Sequence, residues 1–237
     1  MFEIFGKGQL TWLRKFFPFS HGIPSHDTLG RLSARLDHAR FEQCFREWIN
    51  ELHPLTHGEV IAFDGKRMWG SYDLQDRKSA IHMVFAYASE QRLCLGQLAT
   101  EEKSNEITAI PKLLDTLTLE GATITIDAMG GQKGISKKIV AKRADDLLQV
   151  KNHQKGLLAQ IEKVFSLTPG TEVHQTQELD HGRVEQRTCT VIEDLTLLDD
   201  DQGWPGLATL IRIEARRMEK PTGKTTTSTR YYISSKK

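Results

Sequence analysis

Two short stretches decide the fold of this chain: EVIAFDGK, residues 59–66, and ATITIDAMG, residues 122–130. In each stretch a run of β-prone apolar residues ends at an aspartate, Asp64 or Asp127, and small or glycine residues follow at once. This pattern predicts a buried strand that opens to solvent at a hydrated carboxylate. Two such carboxylates brought close together repel each other unless a cation lies between them. The pair is therefore a candidate metal site, and two ordinary turn-forming aspartates are the alternative.

Composition limits the class of protein. The 237 residues, 38% of them hydrophobic, are enough to bury one core, with or without a small appendage. Lys and Arg total 32 against 31 Asp and Glu, so a nucleic-acid surface requires local segregation of charge. The three cysteines, Cys44, Cys94 and Cys189, are far apart and odd in number, which argues against a disulfide framework and a cysteine zinc site. A reducing cytoplasm fits this cysteine usage best.

The first 19 residues alternate basic and aromatic side chains and lack the continuous apolar region of a signal peptide. No apolar run elsewhere approaches the length of a membrane-spanning helix. We therefore expect a cytoplasmic protein that has no membrane partner.

The hydrophobic pattern predicts an ordered series of elements. Residues 24–51 have helical spacing, and the predicted elements that follow are strands at 60–64, 81–89 and 93–99, a helix at 109–119, a strand at 122–127, a helix at 135–143 and a strand at 147–150. This α/β order is that of a ribonuclease H-like mixed sheet, although periodicity alone also permits other mixed α/β arrangements.

After Pro169 the pattern changes to strands separated by turns, for example at residues 187–192 and 207–215. The expected organisation is a helical N-terminal segment, residues 1–57, a partial ribonuclease H-like catalytic core, residues 58–168, and a β-rich C-terminal insertion, residues 169–237.

Several segments occur in one order at characteristic spacings: GIPSHDT at 22–28, DGK at 64–66, EKSNEITAIP at 102–111, TIDAMG at 125–130, HGRVEQR at 181–187 and YYISS at 231–235. Together they resemble the H-repeat-associated transposases, DDE-type enzymes of insertion sequences linked to Rhs elements. The resemblance extends from about Phe5 to Ser235, which is nearly the whole chain.

The resemblance implies a ribonuclease H-like core that holds two Mg²⁺ ions, for which Mn²⁺ can substitute, and that cuts and joins double-stranded DNA at transposon ends. Asp64 would be the first catalytic, metal-binding acid and Asp127 the second. The third acid of the family, a glutamate, lies in a helix beyond the YYISS segment, whereas this sequence stops two residues after Ser235. We therefore expect a transposase clipped at both ends and defective as an enzyme.

Alternatives remain open at this stage. One is an inactive transposase remnant that only binds DNA or a full-length partner, and another is an unrelated metal-dependent nuclease of the same fold. The candidates within the chain to replace the third acid are Glu185, Asp145 and Asp146. The sequence also leaves open whether the protein forms a homo-oligomer.

Two groups of basic residues are candidates for DNA contact. Lysines crowd the turn and helix after Asp127, namely Lys133, Lys137, Lys138 and Lys142. They either contact DNA phosphates or form a basic solvated face. Arg183 and Arg187 alternate with His181 and Glu185 along one face of a predicted strand. That face either contacts DNA or carries an exposed ladder of salt bridges.

Overall fold

A computed structural model describes residues 2–52, 58–68, 81–100, 106–127, 131–170, 172–180, 182–198 and 203–237. The chain forms two compact units, Met1–Leu52 and His53–Lys237. Each unit is described by itself.

The first unit is helical. Its helices are α1 (Phe2–Gly8), α2 (Leu10–Leu13), α3 (His26–Ser33) and α4 (His38–Leu52). The helical spacing predicted over residues 24–51 is confirmed, but the structure divides it into α3 and α4 because two caps separate the helices. The Thr28 N–H donates to Ser25 Oγ at the start of α3, and Asp37 Oδ1 accepts from the N–H groups of Ala39 and Arg40 at the start of α4.

The second unit contains the strands and the remaining helices. The strands are β1 (Val60–Met68), β2 (Ile81–Ala88), β3 (Leu93–Ala99), β4 (Thr123–Ile126), β5 (Asp145–Val150), β6 (Glu172–Asp180), β7 (Arg183–Ile192), β8 (Thr209–Glu219) and β9 (Thr225–Ser234). The helices are α5 (Glu106–Asp115), α6 (Lys133–Ala141) and α7 (Lys155–Leu167). A 3-10 turn at Asn152–Gln154 precedes α7.

Among the described residues, all nine strands belong to one mixed sheet in the order β3-β2-β1-β4-β5-β9-β8-β7-β6. Strands β1, β4 and β5 are parallel neighbours, and the other pairs are antiparallel. The prediction of a mixed α/β fold is confirmed, as is the order of elements from β1 to β5. The C-terminal strands continue the same sheet, because β9 pairs with β5.

The structure corrects the bounds of α5. The pattern predicted a helix over residues 109–119 with Pro111 in its first turn, whereas α5 begins at Glu106 and Pro111 lies inside it. The helix ends earlier than predicted because the chain turns after Asp115, and the Thr116 hydroxyl donates to the Leu113 carbonyl at 2.8 Å. Gly121, with φ of +76°, lies in the turn before β4, where its left-handed conformation suits glycine.

Helix α5 packs against β2 and β3, helix α6 packs against β5, and the two helices contact each other. Buried side chains in this core include Ile61, Ile124 and Leu148 from the sheet and Leu114 and Ile139 from the helices. Because Ile61 pairs with Ile124 in register, adjacent parallel strands present their apolar side chains to one layer of helices. This packing fixes β1 against β4, and the candidate site lies where that pairing ends.

Candidate active site

Asp64 and Asp127 lie at equivalent positions on neighbouring parallel strands. Phe63 of β1 pairs with Ile126 of β4, so each aspartate is the next residue after the last paired position. Phe63 and Ile126 are buried, whereas both aspartates are exposed. The switch from burial to exposure was predicted from the apolar runs. One detail differs: β1 continues to Met68, so Asp64 marks the end of the pairing with β4 and not the end of its own strand.

A third carboxylate, that of Glu106, lies beside this pair. Glu106 is the first residue of α5, and a Cβ atom placed on Gly65 would overlap its carboxylate. The Glu106 carboxylate therefore occupies the space that the missing side chain of Gly65 leaves next to Asp64. His82 of β2 also contacts it, with its Nε2 atom 3.0 Å from Glu106 Oε1.

The surroundings of Glu106 raise the pKa of its carboxyl group above the ordinary value of 4.5. Burial is the largest cause, and the negative charges of Asp127 and Asp64 act in the same direction, while His82 opposes them. The raised pKa of Glu106 therefore reflects its burial first and the charges of the two aspartates second. From the sequence, Glu106 was noted only as part of the segment EKSNEITAIP, residues 102–111. The signal that could have indicated its position is the glycine after Asp64, which permits close approach from another element.

Carboxylate oxygens in this arrangement suit a hard divalent cation such as Mg²⁺, which prefers oxygen ligands and retains several waters. Clustered like charges also fit such a cation, because it offsets their repulsion. Nevertheless, within the described ranges no group of three or more His, Cys, Asp or Glu side chains is arranged closely enough to hold a metal ion. Any ion at Asp64 and Asp127 therefore requires waters or rearrangement of a neighbouring side chain.

Asp145 and Asp146 lie at the other end of the parallel strands. They pair with Thr123 and Ile124 at the start of β4, about 10–13 Å along the strand from Asp127 at ~3.3 Å per residue. Asp146 is buried, and its carboxylate accepts hydrogen bonds from the Ser136 hydroxyl and the Ser235 N–H. These contacts give Asp146 a structural role, and its position disfavours both aspartates as replacements for a third acid.

Glu185 is also remote from the aspartate pair. It lies on β7, four strands from β4 in the sheet, or about 19 Å at ~4.8 Å per strand. Its carboxylate is paired with Arg187 at 2.9 Å and with Arg217 at 3.0 Å. Hydrogen bonds from Arg217 are the main reason that the pKa of Glu185 is lowered. This geometry favours a salt-bridge role for Glu185 over a role as a metal ligand shared with Asp64.

The lysines of α6 fall into two groups. Lys133 and Lys137 are exposed, and Lys133 lies at the end of α6 that follows Asp127. Lys138 donates to Asp115 at 2.6 Å and to the Pro111 carbonyl at 3.0 Å, and Lys142 donates to the Leu117 carbonyl at 2.9 Å. Lys138 and Lys142 thus tie α6 to α5 and its following loop. Of the four lysines, Lys133 and Lys137 remain exposed, and contact with DNA stays a prediction.

Arg183 and Arg187 lie on one strand, β7, as predicted, with Arg183 at its first position. Arg187 pairs with Glu185 and also with Glu178 of the neighbouring strand β6 at 3.0 Å. These contacts form a partly buried ladder of salt bridges, and the sequence had offered an exposed ladder as the alternative to DNA contact. His181 lies outside the described residues.

A cavity opens at the carboxyl ends of β4 and β5. It is lined in part by Lys133 and Lys155, the first residues of α6 and α7, and by Gly131, His153 and Trp204. The sequence did not single out Lys155, because α7 was not predicted. Two lysines and two helix N-termini make this part of the surface suitable for anionic groups.

Comparison with known proteins agrees with the resemblance noted in the sequence. Residues 54–232 match the family model described as "Transposase DDE domain", and residues 1–49 match one described as "DDE_Tnp_1-associated". This chain belongs to the DDE transposase family. Membership of this family implies a dependence on divalent metal ions in general.

Two relatives illustrate the family. "Putative transposase YncI" of Escherichia coli O157:H7 is 45% identical over 99% of this chain and 62% of its own length. "H repeat-associated putative transposase YhhI" of Escherichia coli strain K12 is 39% identical over 98% of this chain and 64% of its own length. The chain therefore spans somewhat less than two thirds of these relatives.

A cryo-EM structure titled piggyBac transposase synaptic complex with hairpin DNA shares 11% sequence identity, with a TM-score of 0.39 over 76% of this chain and 34% of that chain. A similarity of this degree carries no argument about the fold.

In the described part of this DDE transposase family member, no helix has the length and apolar character needed to cross a membrane.

Proposed function

We propose that this chain is the catalytic part of an insertion-sequence transposase that performs metal-dependent DNA cleavage and strand transfer at transposon ends. The observation that carries the proposal is the register of β1 with β4, which puts Asp64 and Asp127 at one point of the sheet in a chain of the DDE transposase family. Each aspartate alone would be an ordinary turn residue. Their common position supports a shared role.

The proposed fold is ribonuclease H-like. It is supported by the strand order β3-β2-β1-β4-β5, with an antiparallel meander of three strands followed by two parallel strands. The proposed division keeps residues 58–168 as this core, residues 1–57 as a helical segment and residues 169–237 as a β-rich insertion. In the described part of the chain after α7 the regular elements are strands, which supports the last part of that division.

In the proposed mechanism Asp64 and Asp127 are the catalytic residues. Their carboxylates would hold Mg²⁺, or Mn²⁺ in its place, which when bound supplies activation of a water or DNA 3′-hydroxyl and neutralisation of charge on the leaving oxygen. The strands contribute rigidity, because parallel pairing on a buried core fixes the two carboxylates relative to each other.

Double-stranded DNA is the proposed partner. Exposed Lys133 and Lys155 are the first residues of α6 and α7, at the edge of the sheet where β4 and β5 end, and exposed Lys137 lies one turn further along α6. Lysines at two helix N-termini would bind phosphates without reading base sequence. We also propose that the protein acts in the cytoplasm. Formation of a homo-oligomer is a further part of the proposal.

The alternative is a remnant that binds DNA, or a full-length partner, without cutting it. One observation favours it: the described residues contain no ready-made group of three metal-binding side chains. Stabilising both the attacking and the leaving oxygen usually requires a second positioned ion. A chain that positions only one ion would bind DNA without cleaving it efficiently.

A DNA cleavage assay tests the proposal. The substrate is a duplex carrying the insertion-sequence end, with Mg²⁺ or Mn²⁺ present. The proteins are the chain alone and the chain joined to the parts of the Escherichia coli O157:H7 relative that lie outside the match. The joined protein should cleave only with the metal, and Asp64→Asn or Asp127→Asn should slow it about a thousandfold or more.

The matched control is Glu120→Gln, because Glu120 is an exposed carboxylate that pairs with Arg143. It should cleave at the rate of the unmodified protein. Cleavage that survives Asp64→Asn and Asp127→Asn would contradict the proposed catalytic roles. Metal-dependent binding of the DNA end without any cleavage by the joined protein would favour the remnant.

A further inference from the structure

We infer that double-stranded DNA lies along a row of three adjoining cavities, which begins at the carboxyl ends of β4 and β5 and reaches the face of β7, β8 and β9. This inference rests on the proposed function, because it names the surface that holds the same partner. It assigns phosphate contacts to three residues outside α6, namely Lys151, Arg217 and Arg230.

The three cavities follow one another along the surface. The first is the cavity at the starts of α6 and α7, which is lined by Lys133, Lys155 and His153. His153 also lines the second cavity, to which Lys151 and Arg230 belong. Arg230 in turn lines the third cavity, on the face of β7, β8 and β9. Because neighbouring cavities share a lining residue, we call the row the basic groove.

The basic groove concentrates positive charge in a chain whose formal net charge is only +1. Its lining contains more Lys and Arg than Glu: Lys133, Lys151, Lys155, Arg187, Arg217 and Arg230 against Glu162 and Glu185. A nucleic-acid surface on a nearly neutral protein requires such a local segregation of charge.

The end of β5 gives a specific argument for an anion. The last pair between β5 and β9 is Val150 with Tyr231, and Lys151 and Arg230 are the next residues on the two strands. Both line the second cavity, where the acidic lining residue is Glu162. Like charges at facing positions of neighbouring strands repel each other. A phosphate between the two cations offsets that repulsion.

The groove is built on fixed elements. Gln154 Nε2 donates to the Gly131 carbonyl at 2.7 Å, which ties the turn before α7 to the residues before α6. In the third cavity, Arg217 donates through Nε and Nη2 to Glu185 Oε2. Its Nη1 group is therefore turned away from that carboxylate and can donate to a phosphate oxygen. A guanidinium that is already held in place loses less conformational entropy when DNA binds.

The length of the groove suits about half a turn of duplex. The groove extends from β4 to β7, which are four strand spacings apart, or about 19 Å at ~4.8 Å per strand. Base pairs rise by ~3.4 Å, so this distance corresponds to about five or six base pairs. Contacts to phosphates position a duplex without reading its base sequence.

DNA binding in EDTA tests the inference without metal or catalysis. The probe is a fluorescent duplex longer than the groove, and anisotropy is measured over a range of salt concentrations. Lys151→Gln, Arg217→Gln and Arg230→Gln should each weaken binding about five- to tenfold near 0.1 M salt and lower the salt slope by roughly one unit. Unchanged affinity and slope in these variants would overturn the inference.

The matched control is Arg216→Gln. Arg216 is exposed and adjacent to Arg217 on β8, but side chains alternate along a strand, so Arg216 lies on the other face of the sheet. The control should bind DNA as tightly as the unmodified chain. If Arg216→Gln weakens binding as much as Arg217→Gln does, net charge alone explains the effect and the inference is wrong.

A gain of affinity provides a result that misfolding cannot imitate. Glu162→Gln removes the acid from among the cations of the second cavity and should tighten DNA binding about twofold or more. Glu120→Gln, which removes an exposed carboxylate that pairs with Arg143, should leave affinity unchanged. Equal affinity of the two variants would contradict a DNA path through the second cavity.

The outcomes also separate this inference from the proposed function. If the three cation variants bind DNA normally while the joined protein cleaves through Asp64 and Asp127, the groove is not the DNA surface and the proposed function stands. If these variants lose DNA binding but the joined protein does not cleave, the groove stands and the proposed function fails.

Discussion

Asp146 and Ser235 are joined by two reciprocal hydrogen bonds, each from the backbone N–H of one residue to a side-chain oxygen of the other. The Ser235 N–H donates to Asp146 Oδ1 at 2.8 Å, and the Asp146 N–H donates to the Ser235 hydroxyl at 2.9 Å. The Ser136 hydroxyl of α6 donates to the other carboxylate oxygen. One buried carboxylate therefore ties together α6, β5 and the end of β9, and so connects the C-terminal strands to the part of the sheet that carries Asp127.

Removal of this carboxylate should destabilise the second unit. Asp146→Ala leaves the Ser136 hydroxyl and the Ser235 N–H without this acceptor in a buried place. The expected loss is about 1–3 kcal/mol in the free energy of unfolding. Urea unfolding measures it, and Asp145→Ala at the neighbouring half-buried position is the control. Equal stability of the two variants would show that the network contributes nothing specific.

The same residue predicts a dependence of stability on pH. Burial raises the pKa of Asp146 above its ordinary value of 3.8, although its hydrogen bonds oppose the shift. Between that value and the raised one, the folded protein retains a proton that the unfolded chain has lost. The contribution of this group to stability is therefore present at low pH and declines as pH rises through this interval.

Asp146→Asn isolates this effect, because asparagine does not titrate. The free energy of unfolding of the unmodified chain, minus that of the variant, should fall as pH increases from about 4 toward neutrality. Urea unfolding at a series of pH values gives this difference. A difference that grows with pH would mean that the hydrogen bonds outweigh burial.

DNA binding should depend on one subset of the α6 lysines. Lys133→Ala and Lys137→Ala should each weaken binding to duplex DNA and reduce its salt dependence by roughly one unit of slope per lost phosphate contact. Fluorescence anisotropy over a range of salt concentrations measures both. Lys163→Ala, at an exposed position in the second half of α7, is the matched control. Unchanged affinity and slope in the first two variants would make this surface a solvated face.

Lys138 should behave differently, because it already bonds Asp115 and the Pro111 carbonyl. Lys138→Ala should lower the free energy of unfolding by about 0.2–1 kcal/mol, the range typical of a partly exposed ion pair. Its effect on DNA affinity should be smaller than that of Lys133→Ala. A Lys138→Ala protein of normal stability with strongly weakened DNA binding would reverse this assignment.

Glu185 should be dispensable for metal binding. Glu185→Gln removes the charge that pairs with Arg187 and Arg217, four strands away from β4. Mn²⁺ affinity should remain unchanged, with at most a small loss of stability. Loss of Mn²⁺ binding in this variant would restore Glu185 as a replacement for the third acid.

The sequence predicted the aspartate pair because the signal is local. Apolar runs ending at Asp64 and Asp127 indicate strands, and parallel neighbours align their carboxyl ends. Strand β9 was missed because its first half, TTTSTR, shows no alternation of apolar and polar residues. Helix α7 was also missed, although its buried Leu157, Ile161 and Val164 recur at helical spacing.

The contact between Gly65 and Glu106 could not be predicted from local pattern. The two residues are far apart in sequence, and only the packing of α5 on the sheet brings them together. A glycine after a strand aspartate indicates a turn as readily as a close approach. Tertiary packing likewise decides which lysines of α6 remain exposed, since Lys138 and Lys142 are engaged by groups around α5.

The central claim is that Asp64 and Asp127 together hold a divalent metal ion, and iron-catalysed self-cleavage tests it most directly. Fe²⁺ substituted for Mg²⁺ generates hydroxyl radicals with ascorbate and peroxide, and these cut the backbone beside the bound ion. Mass spectrometry of the fragments should locate cuts next to both Asp64 and Asp127, and Mg²⁺ should suppress them. Cuts that are absent from both positions, or that persist unchanged in the Asp64→Asn, Asp127→Asn double variant, would contradict the account.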